Sequence, residues 1–116
     1  MFLKDIENKL KELDPLVFYG RVRSKRVKDI AWNYIVFNRV KPSYSQNKTS
    51  HSDYYDVHIV RENFIPEDFD LEVIEKLKEL PGVRLSSEDG VYNYTEKPNT
   101  DAIIEILTLH FVRARK

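Results

Sequence analysis

Apolar residues first recur at helical spacing: Phe2, Leu3, Ile6, Leu10 and Leu13 share one stripe, with Lys4, Asp5, Glu7, Lys9 and Lys11 outside it. Asp14-Pro15 ends this helix, because proline pushes the residue before it out of the α region. From Leu16 the period falls to two. Leu16, Phe18 and Val22 point one way and Val17 and Tyr19 the other, which predicts a first strand. A charged turn over Lys25 to Asp29 leads to Ile30-Ala31-Trp32-Asn33-Tyr34-Ile35-Val36-Phe37. This run is β-branched and aromatic, with large residues on both faces, as in a strand covered on both sides.

Residues 41–52 carry Pro42, four serines and Thr49 but almost no apolar side chain, and they predict a long polar loop or an extended hairpin tip. Alternation returns over Asp53 to Arg61, with Tyr55, Val57 and Ile59 on one face and Asp56 and His58 on the other. Pro66, Glu67, Asp68 and Asp70 suit the positive end of a helix whose buried stripe is Val73, Ile74, Leu77 and Leu80, and Pro81-Gly82 stops it. Val83 to Ser86, the turn Glu88-Asp89-Gly90 and Val91 to Thr95 read as a hairpin. After Lys97-Pro98-Asn99-Thr100, the run from Ala102 to Arg115 fits helix or strand by length. Its isoleucines, Thr108, Phe111 and Val112 select strand. The pattern predicts one α+β domain over residues 1–116, in the order α-β-β-β-α-β-β-β. Its core should bury Trp32, Tyr34, Val36, Val57, Ile59, Leu77 and Ile106.

Composition narrows the chemistry. There is no cysteine, so disulfides, thiolate metal sites and cysteine nucleophiles are excluded. Neither a signal-peptide pattern nor a membrane-spanning run occurs, and a soluble protein made in a cytoplasm, with no membrane partner, is expected. Lys plus Arg and Asp plus Glu each total 19, for a net charge of zero. The charges are nevertheless segregated. Residues 21–48 hold Arg21, Arg23, Lys25, Arg26, Lys28, Arg39, Lys41 and Lys48 against Asp29 alone, a net of +7, whereas residues 53–105 carry −9. Opposite patches of this kind suit docking onto an identical copy, or equally form two solvated faces.

Candidate catalytic groups are sparse. His51 lies in the polar stretch near Asp53, His58 shares a strand face with Asp56, and His110 lies within an apolar strand. An Asp-x-His pair can hold an imidazole tautomer, but alternating polar residues on a solvent-facing strand produce the same pattern, and the second reading is preferred. The three glycines, Gly20, Gly82 and Gly90, are isolated, so no phosphate-cradling loop exists and no cofactor is expected. Aromatics interleave with basic residues from Phe18 to Tyr44, a pattern compatible with nucleic-acid stacking that more often marks a sheet core.

The order and texture of these segments resemble the tail terminator, or tail completion, proteins of long-tailed bacteriophages and related prophages. The resemblance is carried by the leading amphipathic helix, the strand Ile30 to Phe37, the polar loop, and Tyr54-Tyr55-Asp56-Val57-His58-Ile59-Val60. It continues through the acidic helix ending Leu80-Pro81-Gly82 and the closing run Asp101 to Phe111. It implies two helices packed on one face of a curved, mixed but mostly antiparallel sheet. It also implies a non-catalytic virion subunit, without cofactor or metal, that forms a hexameric ring on the tail tube, stops tail polymerisation and joins the head. Its partners would be further copies of itself, the tail tube protein and a head completion protein, assembled in the bacterial cytoplasm and retained in the virion tail. On this reading Arg21, Arg23, Lys25, Arg26 and Lys28 lie at a subunit interface or line the channel beside DNA, and Lys41, Tyr44, Lys48 and His51 belong to an assembly loop. Another small head-completion or connector protein, and a host nucleic-acid-binding α/β module, stay open as alternatives.

Overall fold

A computed structural model describes residues 2–20, 32–44, 51–97 and 100–115 of the chain. The elements are helix α1 (Phe2–Lys11), strands β1 (Val17–Tyr19), β2 (Asn33–Tyr44) and β3 (His51–Glu62), helix α2 (Phe69–Lys78), and strands β4 (Val83–Leu85), β5 (Val91–Glu96) and β6 (Ile103–Arg115). This is the α+β order that the hydrophobic pattern predicts. The sheet runs β1-β2-β3-β6-β4, with β5 also paired to β6. Among the described strands β1 with β2 is the one parallel pair, and the other pairs are antiparallel.

Alternation along the long strands divides the apolar residues between two clusters. On one face Ile35, Phe37, Val57, Ile59, Leu107, Leu109 and Phe111 meet Ile6 and Leu10 of α1 and Val73 and Leu77 of α2. Both helices therefore cover the same side of the sheet. On the other face Tyr34, Val36, Val60 and Ile104 form a smaller cluster with Leu16, Phe18, Trp32 and Ile106 packed at its margin. Trp32 and Ile106 are thus only partly buried, in contrast to the expectation from their apolar character, because no helix lies over that face among the described residues.

A buried ion pair ties the helix side together. Asp14, 4% exposed, accepts the Leu16 N–H through Oδ1 at 3.0 Å, and its Oδ2 lies 2.8 Å from Arg61 Nη2. The same guanidinium donates to the Val60 and Tyr34 carbonyls and rests over the Phe69 ring at 4.7 Å. Gly82, three residues beyond the C-cap Glu79 of α2, has a left-handed φ of 79°, and a Cβ there would stand 3.0 Å from the Ala114 carbonyl oxygen.

Two local expectations are corrected, and the choice between loop and hairpin over residues 41–52 falls to the hairpin for its described part. The second helix begins at Phe69, after a turn over residues 66–68 in which Asp68 adopts a φ of 69°, so Pro66 precedes the helix. β4 and β5 do not form a hairpin. Both pair antiparallel with β6, β4 opposite Phe111 to Arg113 and β5 opposite Ile103 to Thr108, so they lie end to end along one edge of a strand long enough for both. Residues 41–44 and 51–52 belong to β2 and β3, with Lys41 opposite Tyr54 and Tyr44 opposite His51. Pro42 is tolerated because this part of β2 has no described strand on its outer side, where a missing N–H costs no ladder bond.

Candidate functional site

β2, β3 and β6 continue well past the helices, and the described fold measures 53 × 29 × 25 Å. β2 is buried from Tyr34 to Phe37 and exposed from Arg39 to Tyr44. Those six exposed residues make an arm of about 20 Å, braced by β3 and β6, which stay paired as far as His51 opposite Arg115. A register shift between Arg39 and Lys41 leaves Val40 as an extra residue. The bulge reverses the alternation. Arg39 shares the helix side with Tyr55, whereas Lys41 crosses to the opposite side and places its ammonium over the Tyr54 ring at 5.2 Å.

Between the arm and α1 lies a cleft of about 470 Å3. Its α1 wall is Phe2 and Leu3, and the Arg113 guanidinium sits 3.8 Å from the Phe2 ring centroid. Farther out, Tyr44 meets His51 with ring centroids 5.6 Å apart, and Tyr44 keeps 72% of its surface exposed.

The opposite face of the same strands carries polar rungs. His58 Nε2 lies 2.9 Å from Asn38 Oδ1, which can only accept, so the ring carries its proton on Nε2 and donates it there. Nδ1 then accepts the Thr108 hydroxyl at 2.8 Å. Burial pulls the His58 pKa below that of a free imidazole; Asp56 opposes this and His110 adds to it. Asp56 does not orient His58: it lies 2.6 Å from His110 Nδ1 on the neighbouring strand. The ring is satisfied laterally on both nitrogens and forms a polar rung of the sheet.

Of the residues singled out by sequence, Lys41, Tyr44 and His51 come together on the arm, as strand residues and not as a loop. Lys48 and the cluster Arg21, Arg23, Lys25, Arg26 and Lys28 lie outside the described residues. Sequence reading counts Arg39 only within the basic stretch, and it overlooks Val40, the extra residue of the bulge, and Asn38 and Thr108, whose roles depend on cross-strand register. Among the described residues no three His, Asp or Glu side chains gather as a metal site, and no helix is long and apolar enough to cross a membrane. No protein-family model matches the chain, and no curated protein matches it.

Proposed function

We propose that this chain is a structural subunit of long-tailed bacteriophage or prophage virions, a tail terminator that closes the finished tail tube as a hexameric ring and offers the joining surface for the head. The observation that carries the reading is the arm: a braced, three-stranded projection bearing Arg39, Val40, Lys41 and Tyr44, all exposed, on a subunit twice as long as it is wide. A braced extension of this kind suits engagement of a neighbour in an assembly. The charge segregation along the chain supports the same reading, since plus meets minus at every head-to-tail contact of a ring. In that ring the cluster Arg21 to Lys28 faces a neighbour or the channel through which DNA passes. The tail tube protein lies below, and a head completion protein above.

Electron microscopy of tails assembled with an affinity-tagged copy tests this. A single ring of the tagged chain at the head-proximal end, and tubes of uncontrolled length when the chain is withheld, are expected. Tails of normal length without this protein at that end overturn the proposal. Binding to duplex or single-stranded nucleic acid with a steep salt dependence, in the absence of any assembly, favours the nucleic-acid-binding alternative.

A further inference from the structure

On the far side of the sheet from β1, a second groove of about 330 Å3 opens between α2 and the segment that links β4 to β5. Leu107 and Leu109 lie at its base, and Gly90 holds the segment against them: a Cβ at this position would stand 3.0 Å from Leu107 Cδ1. Asp70 and Leu71 stand on the helix wall, Glu88, Asp89 and Tyr92 on the other. Leu71 and Tyr92 remain 54% and 51% exposed, and none of the three acids forms an ion pair among the described residues. The groove is therefore apolar at its centre and acidic on both walls.

The arm is its complement. Val40 and Tyr44 are 50% and 72% exposed, and neither Arg39 nor Lys41 meets a carboxylate among the described residues. The bulge directs these two cations to opposite faces of one strand. An arm entering edge-on thus presents a cation to each acidic wall and its apolar side chains to Leu71 and Tyr92. A subunit cannot fill its own groove. Tyr92 lies opposite Leu107, which lies opposite Ile59, and Ile59 is eight residues along β3 from His51, a distance of about 27 Å.

We infer that the outer edge of β2 in one copy docks into the groove between α2 and residues 86–92 of the next copy. The contact is heterologous, arm to groove, and leaves each bound subunit with one arm and one groove for its neighbours. Charge complementarity selects a second copy of this chain as the occupant. The inference rests on the ring reading and names its interface.

The absence of cysteine allows a direct test by disulfide trapping at two exposed positions. Lys41→Cys and Glu88→Cys, mixed in concentrated solution under mild oxidation, are expected to yield the mixed dimer, and a chain carrying both to yield a ladder of oligomers. Dimers linked only Lys41 to Lys41 or Glu88 to Glu88, or none, overturn the contact and leave the groove to a basic partner of another kind. Charge reversal gives a second reading. Arg39→Glu with Lys41→Glu, and Glu88→Lys with Asp89→Lys, should each weaken self-assembly by about tenfold or more alone and restore it when the two variants are mixed. Failure of the mixture to recover also overturns the contact. Light scattering of the unmodified chain separates the two levels: oligomers that form without the trapped link sink this interface and spare the ring, whereas a chain that neither traps nor assembles in solution or on tails sinks both.

Discussion

The helix-covered face of the sheet and its opposite face are built from the same three long strands and diverge at every second residue. Ile59 and Leu107 point into a dry layer closed by α1 and α2, while their neighbours His58 and Thr108 point the other way and bond to each other and to Asn38. One face derives its stability from close packing across layers, the other from a smaller apolar cluster and from rungs satisfied sideways within one layer. Energy and surface chemistry are therefore separable in this molecule: substitutions on the helix side should act on folding, and those on the arm on recognition.

The largest effect that would break this contrast is sought at Phe37, which is 1% exposed on the helix side. Phe37→Ala should cost about 3–5 kcal/mol, read as a lowered urea midpoint; a midpoint that hardly moves removes the distinction between the faces. Next comes the buried pair. Asp14→Ala strands Arg61 without its carboxylate and should cost about 3 kcal/mol, with Asp14→Ala plus Arg61→Met recovering part of the loss. Trp32→Ala, at the margin of the smaller cluster, should cost about 1–2 kcal/mol, clearly less than Phe37→Ala in the same titration. Equal losses would show that both faces bear comparable load.

The smallest effect concerns pH. His58 is held below its unfolded value, so between the folded value and about 6.5 the unfolded chain binds more protons. Stability should fall as pH drops through about 6.5 and level off below the folded value. His58→Gln should flatten this part of the profile while leaving assembly unchanged. A retained slope would place the titration elsewhere, and loss of assembly in a folded His58→Gln variant would move the polar rungs into the functional surface.

Periodicity carried much of this architecture. The stripe ending at Leu13, the alternation of Tyr55, Val57 and Ile59, and the β-branched content of residues 103–112 each follow from local chemistry and reappear as α1, β3 and β6. Register did not follow from it. Which strand β4 and β5 would choose, and that Asp56 would meet His110 instead of His58, depend on cross-strand pairing: β5 meets residues 7 to 17 positions away, β4 residues 26 to 30 away, and Asp56 one 54 away. The arm stayed open between loop and hairpin tip for another reason: a strand exposed on both faces and a polar loop share one composition, and Pro42 and the serines fit either.

The end-to-end placement of β4 and β5 along β6 also has a bearing on biosynthesis. β6 is the inner strand that β3, β4 and β5 all require, yet it follows every one of them in chain order. A ribosome therefore releases three strands whose common partner is still untranslated, with their hydrogen-bonding edges open and Tyr92 and Tyr94 uncovered. β3 and β4 meet β6 only through contacts of long sequence separation, which slows folding and lengthens the interval in which open edges can pair between chains. Nascent chains stalled before Ile103 should accordingly be protease-sensitive and bound by chaperones, and protection should appear only once Ile103 to Arg115 are free to pair.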